Sequence, residues 1–105
     1  MYRPENIPLT VDKAQDFVGL QLLTRGPFIW QGGVGAVSLC ANQLTIQFSW
    51  LCEMEGGLWK YINKRSLALT VGAMTLEPDG SVRIHAGGII TTVLPKSSNL
   101  NIKVR

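Results

Sequence analysis

The sequence predicts an all-β or β-dominated α+β fold, an antiparallel meander that forms a small barrel or a strongly bent sheet with one short N-terminal helix. In residues 44–55 every even position is apolar, and every odd position except Leu51 is polar or charged. This period of two is typical of a long strand with one buried face. Gly56-Gly57 follows directly and is a two-residue hairpin signal. Shorter strand-like runs, separated by turn residues, make up most of the remaining chain.

The N-terminal third begins with residues 1–9, which contain two prolines and no periodicity and predict an extended lead-in. Residues 10–18 have apolar side chains at helical spacing, and Thr10 or Asp12 can cap a helix. We therefore expect a short helix of about two turns that ends at Gly19 and covers one end or face of the sheet.

Residues 20–24 and 28–30 indicate short strands, and residues 31–35 contain three glycines. A glycine-rich segment that binds phosphate needs a following Lys-Ser/Thr pair or a following helix. Residues 36–40 instead have the pattern of a strand. A loop or a β-bulge is therefore the preferred interpretation of residues 31–35, with an anion site as the alternative.

The Gly56-Gly57 reversal implies a register that can be checked pair by pair. The predicted cross-strand pairs are Glu55–Leu58, Met54–Trp59, Glu53–Lys60 and Cys52–Tyr61, with Leu51 beside Ile62. The pairs that contain Trp59 and Tyr61 are predicted on the buried face. The oppositely charged pair is predicted on the other face.

The C-terminal half continues as strands and turns. Residues 67–76 are apolar on both faces, which predicts a strand covered on both sides. Residues 77–81 contain Pro78 and Gly80 and predict a tight turn. Residues 82–85 return from that turn, residues 89–94 are rich in β-branched side chains, and residues 100–104 alternate as a half-buried edge strand.

The length of 105 residues predicts one β-rich domain over residues 1–105. A hairpin turn at Asn42-Gln43 would set Cys40 opposite Thr45, so the sulfurs of Cys40 and Cys52 would lie on opposite faces and stay unbridged. Free thiols favour a reducing compartment. No apolar run approaches membrane-spanning length, and the N-terminus lacks the layout of a signal peptide. We therefore expect a cytoplasmic protein with no membrane partner.

The net charge of +3 is unevenly distributed, since residues 1–55 sum to −2 and residues 56–105 to +5. The simpler interpretation is an ordinary solvated surface. The alternative is a basic face that attracts an anion, a nucleic acid or an acidic partner.

The residues give little support for catalysis. His85 is the only histidine and is expected on a solvated strand face, although a general base partnered by an acid or a thiol is the alternative. No serine-nucleophile motif is present, and one histidine with two separated cysteines does not make a metal site. The expectation is no cofactor, no metal and no catalytic residue, with the question of an enzyme left open but disfavoured.

The candidate ligand-binding residues are Phe48, Trp50, Trp59 and Tyr61, which the alternation places on one buried face. They either fill a core or wall an apolar pocket in a small barrel. Nucleic-acid binding is disfavoured because both aromatics of Trp59-Lys60-Tyr61 are placed on the buried side and the RNA-recognition consensus is absent.

The candidate interface residues are Leu51 and Ile62, an apolar pair predicted outside the core. Their face would be covered by the helix or by a second copy, so a homodimer is expected. The leading function is therefore non-enzymatic binding of a small apolar or aromatic ligand in a pocket of the barrel or sheet. The alternative is a structural or protein-interaction module, either a homodimer or an accessory subunit, and the third hypothesis is an enzyme centred on His85.

Overall fold

The computed structural model describes residues 4–96, in which nine antiparallel strands form one sheet and one short helix packs against it. The strands are β1 (Glu5–Ile7), β2 (Gln21–Arg25), β3 (Trp30–Cys40), β4 (Gln43–Glu55), β5 (Leu58–Tyr61), β6 (Ser66–Thr70), β7 (Ala73–Leu76), β8 (Val82–Ala86) and β9 (Ile89–Val93). The sheet is not closed, so the bent-sheet form of the predicted fold is confirmed. The edge strand predicted at residues 100–104 lies outside the described residues.

The strands follow the order β1-β7-β8-β9-β2-β3-β4-β5, and β6 pairs with the first half of β4. Residues 67–76, predicted as one strand, form parts of both β6 and β7, with Val71 and Gly72 between them. The Val71 N–H donates to the Asn42 carbonyl at 2.8 Å, and the Gly72 N–H donates to the His85 carbonyl at 2.9 Å. This short link joins β6, which pairs with β4, to β7, which pairs with β8. The two parts of the bent sheet are thereby connected. The prediction that both sides of the segment are covered is wrong, because Ala68 and Ala73 are exposed.

The predicted N-terminal helix is confirmed as α1 (Val11–Gln15), shorter than expected. Thr10 is its N-cap, since the Thr10 hydroxyl accepts a hydrogen bond from the Lys13 N–H at 3.1 Å. Ala14 and Phe17 are buried in the core, so the helix and the turn after it cover the sheet as predicted. The lead-in before α1 contains a strand that the sequence did not reveal, since β1 pairs with β7.

The hairpin of β4 and β5 has the predicted register at all four pairs, from Glu55 opposite Leu58 to Cys52 opposite Tyr61. Gly56 and Gly57 have φ angles of 60° and 81°. These positive angles fit a two-residue turn that matches the twist of the strands. The Ile62 N–H donates to the Leu51 carbonyl at 3.0 Å, which continues the same register.

The turn between β3 and β4 differs from the prediction by one residue. It contains Ala41 and Asn42, and Ala41 has a positive φ of 54°. Cys40 therefore lies opposite Gln43 and not opposite Thr45. Both thiols are free, as predicted, but the reason is the distance between them and not the face on which each lies. Cys40 is opposite Gln43, and Cys52 is nine positions further along β4, about 30 Å at strand spacing.

Two irregularities in the β3–β4 pairing change which side chains share a face. Val34 lies opposite Phe48 while Gly33 lies opposite Trp50, so Ser49 is an extra residue in β4. Gly35 is likewise an extra residue in β3. An extra residue moves every later side chain of that strand to the opposite face. The even positions of β4 face the core only as far as Phe48, and after Ser49 the odd positions do.

The inner face of the sheet is the side that carries the core, and the outer face is the opposite side. Side chains from β2, β4, β6, β7, β8 and β9 meet on the inner face with Phe17. The largest of these fully buried side chains include Leu22, Leu44, Ile46, Met74, Ile84 and Val93. The inside of the bent sheet is filled, so the fold has a packed core along this face.

The glycine pair Gly32-Gly33 lets β3 and β4 approach at the point where the facing changes. A Cβ on Gly32 would lie 2.7 Å from Phe48 Cδ1, 2.8 Å from the Trp50 carbonyl and 2.9 Å from Leu51 Cδ1. A Cβ on Gly33 would lie against Trp50 Nε1 on the other face. Each glycine is therefore required by a side chain packed over it.

We predict that Gly32→Ala lowers the free energy of unfolding by about 1–3 kcal/mol, because the new methyl group meets a carbonyl that cannot move without breaking the strand pair. Urea denaturation of both chains measures this change. Gly72→Ala is the matched control, since a Cβ there meets only the His85 carbonyl at 3.5 Å. The control is expected to stay within about 0.5 kcal/mol of the parent or to be slightly more stable. Equal losses in both variants would contradict the crowding at Gly32.

Candidate functional site

The four predicted ligand-binding aromatics do not share one face. Phe48 is 6% exposed and lies in the core, where its ring meets Trp30 edge to face at 6.4 Å. Trp50 lies on the outer face over Gly33. Trp59 and Tyr61 pair with Met54 and Cys52, which also point outward. The prediction of a single buried aromatic face is wrong because the bulge at Ser49 separates Phe48 from the other three.

We call Trp50, Trp59 and Tyr61, together with Cys52 and Met54, the aromatic patch. Trp50, Trp59 and Met54 are half-buried, Cys52 is buried, and Tyr61 is 68% exposed. Tyr61 is thus an aromatic ring that the fold presents to solvent. The patch occupies the outer face at the end of the sheet formed by β4 and β5, and it forms a surface, whereas the sequence predicted an enclosed pocket.

The predicted interface pair lies on the inner face. Leu51 is 2% exposed and belongs to the core, and Ile62 is half-buried against it. The prediction that both point away from the core is wrong, again because the alternation of β4 reverses at Ser49. Leu51 therefore has no surface to offer a second copy of the chain.

Trp30 anchors the inner side of the same region. Its Nε1–H donates to Glu53 Oε2 at 2.6 Å, its ring lies 4.2 Å from that of Phe28, and Lys64 Nζ is 5.5 Å from the ring centre. Glu53 is opposite Lys60 as predicted, but Lys60 Nζ lies 3.6 Å from Glu55 Oε1 and Glu53 instead binds the indole. These contacts are intramolecular and hold the Trp30 ring buried at 4% exposure.

His85 is exposed on the outer face of β8, as the sequence predicted for a solvated strand position. Its cross-strand neighbours are Ala73 and Ile90. Neither side chain carries an acid or a thiol, so the strand pairing gives His85 no partner for general-base catalysis. Within the described residues, no group of His, Cys, Asp and Glu is arranged to hold a metal ion.

A small surface pocket lies on the other half of the β3–β4 pair, lined by Ala36, Val37, Ser38, Thr45 and Gln47. No aromatic side chain lines it, and it is separate from the aromatic patch. Among residues 4–96, no helix has the length and apolar character needed to cross a membrane.

The carboxylates of the described strands lie on one face of the sheet. The carboxylates on the described strands belong to Glu5, Glu53 and Glu55, and their register places all three on the inner face. Arg25 and Arg83 point outward, as does His85. Glu77, which follows β7, lies with Oε1 at 3.4 Å from Arg83 Nε. The outer face therefore combines aromatic rings at one end with arginines further along the sheet.

A scan against protein-family models and searches of the curated proteins and the solved structures find no match to this chain.

The sequence did contain a signal for this arrangement. Two adjacent glycines in a strand, Gly32-Gly33, indicate that large side chains pack closely over the backbone on both faces. The sequence predicts a loop or a bulge at residues 31–35; the loop is wrong, because these residues belong to β3, and the bulge is present at Gly35. What the pattern did not reveal is the second bulge, at Ser49, which decides the position of Trp50.

The two cysteines are predicted to differ in reactivity. Burial raises the pKa of the Cys52 thiol above its ordinary value, so little of it is thiolate at neutral pH. Cys40 is exposed. In the folded protein iodoacetamide should modify Cys40 and leave Cys52 unmodified until urea unfolds the chain, as measured by mass spectrometry. The variant Cys40→Ser should stay unmodified while folded, and rapid labelling of Cys52 would contradict its burial.

Proposed function

We propose that the protein is a non-enzymatic binding module that holds a flat apolar or aromatic ligand on the aromatic patch. The observation that carries this proposal is the outward position of Trp50, Trp59 and Tyr61, with Tyr61 exposed to solvent. Exposed aromatic rings grouped on one surface are typical of binding sites, because they offer a large contact area at a small cost in conformational entropy.

The filled inner face favours the outer face over an internal pocket as the binding surface. Phe48, Leu51 and Trp30 each have at most 6% of their surface exposed, so an apolar ligand would have to displace packed core side chains to enter. On the outer face a ligand would meet the ring of Tyr61 without any rearrangement of the core. Trp59 and Tyr61 lie two positions apart on β5, so both rings are on the same face of the strand. Two neighbouring rings on one face would favour a flat ligand, which can contact both at once.

We predict that a neutral aromatic dye such as N-phenyl-1-naphthylamine binds saturably and changes in fluorescence. Tyr61→Ala and Trp59→Ala should each weaken this binding by about three- to tenfold through the lost ring contact. Leu58→Ala is the matched control, because Leu58 is an exposed apolar residue of the same strand that points to the inner face. Its affinity should stay within about twofold of the parent. Equal affinity in the parent and both aromatic variants would refute the proposal.

The second candidate is the protein-interaction module, in particular a homodimer formed through the outer face and not through the predicted pair Leu51 and Ile62. It is favoured by the 41% exposure of Ile29, whose carbonyl accepts the Met54 N–H next to the patch. Size-exclusion chromatography with light scattering distinguishes the two candidates. A dimer that Tyr61→Ala dissociates and Leu58→Ala does not would assign the patch to self-association.

A further inference from the structure

Building on the proposed function, we propose that the ligand of the aromatic patch is a single-stranded nucleic acid. Its unpaired bases would stack on Tyr61 and Trp59, and its phosphates would bind Arg25 and Arg83 on the same face. Stacking on aromatic side chains combined with cationic contacts to the backbone is the general mode by which proteins bind single strands.

The charge of the outer face is complementary to a polyanion. The strand carboxylates Glu5, Glu53 and Glu55 all point to the inner face, so a phosphate chain on the outer face meets none of them. Arg25 is exposed there, at the end of β2. Arg83 is partly neutralised by Glu77 at 3.4 Å, so Arg25 is expected to make the stronger phosphate contact.

The aromatic and cationic residues lie along one continuous row of cross-strand neighbours. The row runs through Tyr61, Cys52, Gln31, Leu23, Thr92 and Arg83, each opposite the next. It crosses six adjacent strands, from β5 to β8, which spans about 24 Å at the usual strand spacing. Between the aromatic and the cationic end the row is uncharged. Gln31 and Cys52 are buried, so a strand of several nucleotides would pass over them and contact the exposed and half-buried members of the row, Tyr61, Leu23, Thr92 and Arg83.

The aromatic patch favours a single strand over a duplex. The rings of Tyr61 and Trp59 offer stacking surfaces, and bases inside a duplex are not available to stack on them. Two sequence features disfavour nucleic-acid binding: the predicted burial of Trp59 and Tyr61, and the absence of the RNA-recognition consensus. The bulge at Ser49 removes the first, because it turns both aromatic side chains to the outer face.

The test uses fluorescence anisotropy of labelled oligothymidylate and oligouridylate of about twenty nucleotides at low salt, with the full chain. At least one of the two oligonucleotides should bind, and Tyr61→Ala should weaken that binding by about five- to a hundredfold. Arg25→Gln should reduce the slope of log affinity against log salt by about 0.7, the value for one lost phosphate contact. Lys60→Gln is the control, since it removes one positive charge from the inner face of β5. It should leave affinity within about twofold.

The possible results separate this inference from the proposed function. If the neutral dye binds at Tyr61 and neither oligonucleotide binds, the inference is overturned and the proposed function stands. If neither dye nor oligonucleotide depends on Tyr61, both are overturned. Equal binding of a blunt duplex, or equal losses in Arg25→Gln and Lys60→Gln, would show attraction to net charge alone and would also overturn the inference. Preference between thymidylate and uridylate would show that the face responds to the thymine methyl group or to the sugar 2′-hydroxyl, the two groups in which these strands differ, and either result supports the inference.

Discussion

The close pairing of β3 with β4 across Gly32-Gly33 is the constraint on which the rest of the structure depends. The two glycines leave room for Phe48 and Leu51 on the inner face and for Trp50 on the outer face. The extra residue Ser49 then reverses the facing of β4, and its hydroxyl donates to the Gly33 carbonyl at 3.2 Å. The same few residues therefore decide which side chains enter the core and which form the aromatic patch. Removing the extra residue would turn every later side chain of β4 to the opposite face.

The alternation of residues 44–55 predicts the long strand, and Gly56-Gly57 predicts the reversal and the whole register of β5, as the structure has them. Local pattern determines these features, because turn geometry and side-chain period act over neighbouring residues. The facing of Trp50, Trp59 and Tyr61 was mispredicted, because a bulge arises from the fit between two strands that are distant in sequence. Leu51, the apolar residue that broke the alternation, marked the place where the facing had already changed.

The hydrogen bonds of Trp30 make the inner side of this region costly to open. Glu53 accepts the indole N–H of Trp30, and the Trp30 N–H donates to the Thr24 hydroxyl at 2.9 Å, so these buried polar groups are satisfied within the chain. A ligand that entered here would have to replace these bonds as well as the packing of Phe28 on the ring. The energetic cost of unpaired buried groups therefore disfavours entry of a ligand on this side.

The carboxylates of the described strands all lie on the inner face, which they share with Lys60, and this leaves the outer surface without a strand carboxylate. Carboxylates on β1 and β4 point inward, where Glu53 and Glu55 have partners in Trp30 and Lys60. Had β4 kept its alternation past Phe48, Glu53 and Glu55 would have pointed to the outer face, and Trp59 and Tyr61 to the core. The bulge at Ser49 exchanges these two sets of side chains. The end of the outer face that would have been acidic therefore becomes aromatic, while Arg25 and Arg83 point outward on β2 and β8 independently of the bulge. Aromatic rings and cations on one face are the combination that stacking and phosphate contacts require.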